Sequence, residues 1–336
     1  MTSEKKSNGN KKLMEHVKDI LKERGWKAFE IAKNTALGMK LQYKPLYDAL
    51  QYFFNETWYD VQHPALVSLA CEAVGGNPEK TVNIGAAIVL LAGAADIHDD
   101  IIDDSKLKNL RLTVYGKFNK DISLLLGDAL LFEGLSFLHA ACQKFSEREK
   151  NSILKLIKKA FFEIGNAEAN EAEFKGKCNV NPKEYFSGII KRKAAVAEAA
   201  AKIGAIIGGG TKKDIKILGR YGRALGILMT IRDEFVDMFE LEELKNRIEK
   251  ECLPLPMMYT FKDKNIKEKV LLCLQEESEK SLYDVIEKIM QIKEVTALKE
   301  KMMKIIERTI REIESIPNPK VLLELELLLK ASIEDL

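Results

Sequence analysis

The sequence predicts an all-α protein, and three observations carry the prediction. Proline is absent between Pro78 and Pro182 and again between Pro182 and Pro254, so long stretches keep every N–H that a helix ladder uses. Period-two runs of β-branched residues and Asn-Gly turns are almost missing, whereas Ala, Leu, Glu and Lys dominate. Apolar residues recur at three- and four-residue spacing between clear breakers.

Those breakers divide the chain in order. Residues 12–36 read as one or two helices and 43–56 as another. The segment 64–74 stops at Gly75-Gly76-Asn77-Pro78. A helix restarts over 79–104. Its apolar run, 84–95, is about half a membrane span long and ends in carboxylates, so it reads as a buried helix. Residues 120–142 are apolar and central, and 147–174 follows. The stretch 182–208 ends at Gly208-Gly209-Gly210, after which 212–242 begins. Pro254 and Pro256 interrupt the chain, and 266–313 and 319–336 read as charged amphipathic helices with a packing role. No repeat or long linker divides 13–336, so one all-α domain is expected there, preceded by a disordered polar leader at 1–12.

Bulk composition excludes some functions. Net charge is only +2 and the signs are interspersed, so no nucleic-acid surface is expected. The cysteines, Cys71, Cys142, Cys178, Cys252 and Cys273, are odd in number and form no C-x-x-C pair. They read as reduced thiols of a cytoplasmic protein rather than a disulfide frame or zinc site. The leader lacks the apolar core of a signal peptide, and no transmembrane segment is expected.

Chemistry enters with two acidic clusters. Asp96-Ile97-His98-Asp99-Asp100-Ile101-Ile102-Asp103-Asp104 places Asp96, Asp99, Asp100 and Asp103 toward one side of a helix. Like charges so spaced repel, and they sit where an apolar helix should continue into a core. A hard cation such as Mg²⁺, which takes carboxylate and phosphate oxygens, gives a physical reason for the pattern. An exposed acidic helix end is the alternative. Asp233-Glu234-Phe235-Val236-Asp237 repeats the spacing after a second apolar helix, and two such clusters can share metals across a cavity.

Here the residues resemble the trans-prenyl diphosphate synthase family and the related class I terpene synthases. The first cluster matches the family's D-D-x-x-D motif, and the second matches the later copy with Glu234 at its second position. Glu72-Ala73-Val74-Gly75-Gly76, Leu125-Leu126-Gly127-Asp128-Ala129-Leu130-Leu131 and Tyr221-Gly222 before Leu225-Gly226 also resemble family segments. The resemblance implies a class I terpenoid synthase fold, a helical bundle around a deep central cavity, and a homodimer. It implies several Mg²⁺ ions, with Asp99, Asp103 and Asp233 as principal ligands and Asp100, Glu234 and Asp237 as secondary ligands or as residues that back the ligands. Ionisation of an allylic prenyl diphosphate would rest on Asp99, Asp103, Asp233 and Arg192. Lys108, Arg111, Arg192, Lys193 and Lys250 are candidate diphosphate partners. Ala92, Ala94, Ala95, Asp96, Met229 and Thr230 would line the pocket.

The departures from the family are uneven. Its segment for binding a second substrate, isopentenyl diphosphate, falls on 58–64, with Asp60 at its lysine and His63 at its arginine; its usual histidine is Ala92. An aspartate there puts a repulsive charge where an attractive one is needed. The leading expectation is therefore terpene-synthase-like: ionise, then cyclise, hydrate or eliminate. A chain-elongating prenyltransferase using isopentenyl diphosphate is the second reading, and a non-catalytic regulatory subunit the third.

Overall fold

The computed structural model describes residues 3–334 apart from 109, 178 and 277, with side chains from Lys12 onward. Cys178 of the sequence reading thus lies outside the described residues.

In chain order the helices are α1 (Ser3–Leu37), α2 (Lys44–Tyr52), α3 (Gln62–Ala73), α4 (Val82–Ile102), α5 (Val114–Phe118) and α6 (Lys120–Cys142). Next come α7 (Glu147–Phe174), α8 (Pro182–Tyr185), α9 (Lys191–Lys193), α10 (Ala195–Ile207) and α11 (Lys212–Asp237). The remainder is α12 (Leu241–Glu249), α13 (Leu255–Thr260), α14 (Lys264–Gln275), α15 (Glu279–Met290), α16 (Lys293–Ile313) and α17 (Pro319–Ala331). The one sheet among the described residues is a short hairpin between α4 and α5, β1 (Leu107–Lys108) paired antiparallel with β2 (Arg111–Leu112).

Three expectations change. Helix α1 starts at Ser3, within the leader expected to be disordered; lengthening an existing helix needs no new nucleus. The stretch read as one helix over 266–313 is α14, α15 and α16, with the Ser278 side chain accepting from the Ser281 N–H where α15 begins. Amphipathic spacing continues across both breaks, so periodicity alone conceals them. The stretch 182–208 is interrupted by a π-turn at Phe186–Ile190 and a break at Ala194, which set the three-residue α9 apart.

Helix α4 packs along α6, α10 packs against both α3 and α11, and α1 lies over α3 and α4. The stack of α3, α10 and α11 is tight because glycines permit it: a Cβ on Gly204 would overlap the Val67 carbonyl, and one on Gly222 the Ala197 carbonyl. Burial then fixes the ends of the motif helices. Ile97 on α4 and Phe235 on α11 are fully buried, each contributing roughly 1.5–3 kcal/mol. Ala92, Ala95, Asp96 and Asp99 form a half-buried face of α4, and Gly226, Thr230 and Asp237 one of α11. Ala94 is buried on the side away from that face, and Met229 packs on the main core.

Two helical stretches, Pro78–Ile102 and Lys120–Cys142, are long and apolar enough by length and composition to cross a membrane. The first is 67% buried within the fold, as expected of a core helix, and the second 39%. Cys71, Cys142, Cys252 and Cys273 are free and buried.

Candidate active site

Helix α4 ends in its acidic cluster, and Asp104, with φ of 52°, turns the chain into the hairpin. That turn brings Lys108 back over the helix end, where its Nζ lies 2.7 Å from Asp100 Oδ1, 3.8 Å from Asp96 and 3.9 Å from Asp99. Lys175, just past α7, pairs with Asp103 at 3.3 Å. Lys250 reaches Asp104 at 3.0 Å, and the Tyr115 hydroxyl donates to the same carboxylate. Facing them from α7 is Glu168. Ligand oxygens of Asp99, Asp103 and Glu168 all lie within 4.8 Å of one another.

The second motif is built differently. Asp233 is 65% exposed beside Arg232, while Asp237 is 4.0 Å from Arg247 Nε. Glu234 points inward, where its Oε1 accepts from the Tyr185 hydroxyl at 2.6 Å and its Oε2 from the Leu255 N–H at 2.7 Å. Both oxygens are thus engaged by the fold, so Glu234, read from sequence as a secondary ligand, belongs to the protein's own network. Asp233 and Asp237 are the motif carboxylates left to face a ligand.

Electrostatics ties the two clusters together. Burial pushes Asp100 and Asp103 up to about 7, with neighbouring carboxylates adding repulsion. Burial likewise takes Glu168 to about 8, whereas Asp99 falls below its ordinary value, because Lys193 and Lys108 outweigh its desolvation. Asp237 is raised to about 6 by burial, against the pull of Arg247 and Lys108. Ion pairs link the two motifs: Lys193 lies beside Glu168 and Glu171, and Arg247 beside Glu171 and Asp237.

The donor set fits a hard divalent cation. Among the described residues Asp99 Oδ1 and Glu168 Oε2 are buried without a hydrogen-bond partner, Asp103 adds an oxygen whose only close partner is the Lys175 ammonium, and grouped carboxylate oxygens suit Mg²⁺.

Not every predicted residue converges here. Arg111 turns outward and donates to the Glu56 carbonyl, because β2 faces away from α4. Arg192 makes no ion pair among the described residues, whereas its neighbour Lys193 lies 3.3 Å from Glu168 and 2.6 Å from Glu171. The π-turn before α9 selects which of the two basic side chains points inward. Asp60 is also not the free repulsive charge inferred from sequence. Its Oδ1 accepts from the N–H groups of Gln62 and His63 at the start of α3, and its Oδ2 lies 2.7 Å from His63 Nδ1. Burial works to lower the His63 pKa, but the Asp60 charge and hydrogen bond outweigh it and hold the imidazole above its ordinary value.

Sequence reasoning missed Glu168, Glu171, Lys175, Tyr185 and Arg247. The available signal was Glu168 and Glu171, three residues apart on α7 beside the buried Ala167, a pair of acids on a face that packs.

An all-α bundle whose two carboxylate motifs end α4 and α11, with Asp99, Asp103 and Glu168 grouped at the first, offers the oxygen donors that a divalent cation takes. The model of the polyprenyl synthetase family matches residues 45–293, and the chain belongs to that family, the trans-prenyl diphosphate synthases. It is similar to a short chain isoprenyl diphosphate synthase of Methanothermobacter thermautotrophicus, 32% identical over 180 residues, 54% of each chain. It is also similar to a geranylgeranyl diphosphate synthase of Sulfolobus acidocaldarius, 25% identical over 57% of this chain and 58% of that one. The chain spans little more than half the length of these curated relatives. Its fold is that of the crystal structure of geranylgeranyl pyrophosphate synthetase from Pyrococcus horikoshii, with a TM-score of 0.80, 24% identity, and 95% and 98% of the two chains covered.

Proposed function

We propose that this chain is a chain-elongating trans-prenyltransferase, which joins an allylic prenyl diphosphate to isopentenyl diphosphate and releases diphosphate. The observation that carries the reading is the set of ion pairs that joins both acidic motifs, with Lys108 on the first and Lys193 and Arg247 between the two. The relatives described above carry the names of chain-elongating synthases, which supports this reading over a terpene-synthase-like one. The engagement of Asp60 by α3 and His63 also means that its charge is paired rather than left to repel a second diphosphate, which supports the same reading.

Bound at Asp99, Asp103, Glu168, Asp233 and Asp237, Mg²⁺ would supply positive charge to the departing diphosphate. The protein's own part is to hold ammonium groups beside it: Lys108 from the hairpin, and Lys193 from α9. The small side chains of Ala92 and Ala95, half-buried one to two turns before Asp99, would lie along a bound prenyl chain and keep water from the developing charge. We also propose a homodimer. Leu124, Leu125, Phe132 and Leu135 line the exposed face of α6, with Phe161 and Phe162 exposed on α7, and a second copy would cover them.

Incubation with Mg²⁺ and allylic diphosphates of increasing length, with and without labelled isopentenyl diphosphate, tests the reaction. A lengthened, labelled diphosphate is expected. Hydrocarbon or alcohol from the allylic substrate alone would overturn the reading in favour of a terpene synthase.

A further inference from the structure

Glu171 on α7 lies outside both motifs and is 2% exposed, in a position where a carboxylate needs compensating charge. Its two cationic neighbours among the described residues are Lys193, 2.6 Å from Oε2, and Arg247, whose Nη1 is 3.8 Å from Oε1. Each cation also faces a motif carboxylate or its partner. Lys193 is 3.3 Å from Glu168, which adjoins Asp99 and Asp103. Arg247 is 3.7 Å from Glu234 and 4.0 Å from Asp237. A buried line of alternating charge therefore runs from the first motif through Glu168, Lys193, Glu171 and Arg247 to the second.

We propose that Glu171 is a positioning residue that holds Lys193 and Arg247 back from the two acidic motifs, keeping the motif carboxylates available to divalent cations. This rests on the reading that those carboxylates bind such cations. The geometry favours Glu171 as the holder because Lys193 sits closer to it than to Glu168, and because Arg247 Nη1 is shared between Glu171 and Glu251. The Tyr185 hydroxyl lies 3.3 Å from Arg247 Nη2, and Glu251 lies 3.4 Å from Nη1. Without the Glu171 charge, an ammonium on a flexible stem can swing to Glu168 and Asp99, and the guanidinium can tilt toward Asp237. Both would then compete with a cation for the same oxygens. One residue, belonging to neither motif, would weaken both.

The test is calorimetric titration of the full-length protein with Mn²⁺ in the absence of substrate, with circular dichroism to confirm folding. Glu171→Gln is expected to weaken binding at both clusters, by roughly 10–100-fold, the usual loss when a partner of a ligand is removed. Asp103→Asn and Asp237→Asn should each affect one cluster and so identify which is which. The decisive variant is Glu171→Gln combined with Lys193→Met, in which affinity at the first cluster should recover, since the competing ammonium is gone; damage to the fold would not be repaired by a second loss. Lys193→Met alone should tighten the first cluster, which keeps the idea testable if Glu171→Gln does not fold. An unchanged isotherm for Glu171→Gln, no recovery in the double variant, or no tightening in Lys193→Met would overturn the proposal. If the unmodified protein binds no Mn²⁺, the cation-binding reading itself fails.

Discussion

The two acidic motifs share their spacing but not their construction. The first is compact: its aspartates are packed at the end of α4 and met by ammonium groups from the hairpin, the end of α7 and the loop after α12. The second is open: Asp233 is largely exposed, Glu234 is absorbed into the fold, and the cation behind it is a guanidinium fixed by Tyr185 and Glu251. The contrast follows from the chemistry of the counter-ions. Lysine is a compact charge on a flexible stem and can leave a carboxylate when another cation arrives, whereas a buried arginine holds its partners in a set geometry. The first motif is arranged for exchange of charge and the second for alignment.

Substitutions can break this comparison. Asp99→Asn should have the largest effect, lowering kcat about 10²–10³-fold with the fold intact, since it removes stabilisation aimed at the leaving group. Steady-state kinetics alongside circular dichroism would check it. Glu234→Gln should act on stability instead, costing about 1–3 kcal/mol in denaturant unfolding by weakening a satisfied buried network, while Mn²⁺ affinity stays within about twofold. A large affinity loss there would make the two motifs equivalent after all.

Acidity sharpens the comparison further. Asp100 and Asp103 are raised to about 7 and Asp237 to about 6, all above the unfolded value of about 4. Between those limits the folded chain binds more protons than the unfolded one, so these groups make the metal-free protein less stable as pH rises. Melting in a chelator should therefore occur at higher temperature near pH 5.5 than near pH 8, insofar as these groups dominate. Added Mg²⁺ should stabilise strongly at pH 8 and weakly at pH 5.5, with the first cluster losing affinity before the second. The smallest effect is expected from Lys250→Ala. Its pair with Asp104 is about half exposed on both sides, so melting should shift by less than the equivalent of about 1 kcal/mol.

Much of the architecture was legible in the residues alone. The helices 120–142 and 147–174 lie where breakers and periodicity put them, because Asn119 caps one and a Ser146–Glu149 capping box starts the other. The acidic motifs were legible too, since like charges at three- and four-residue spacing after an apolar helix are locally unfavourable and call for a partner.

The partners themselves were decided only by the tertiary structure. Glu168, Glu171 and Arg247 sit on α7 and α12, far along the chain from Asp99, and in a sequence with 31% charged residues nothing local distinguishes them from a solvated face. The orientation of Lys193 over Arg192 depends on a π-turn, and the pairing of Asp60 with His63 on the start of α3. Sequence spacing determines which side chains share a helix face. Which charges meet is settled when separate helices pack, because an ion pair requires atoms within about 4 Å and chain distance carries no such information.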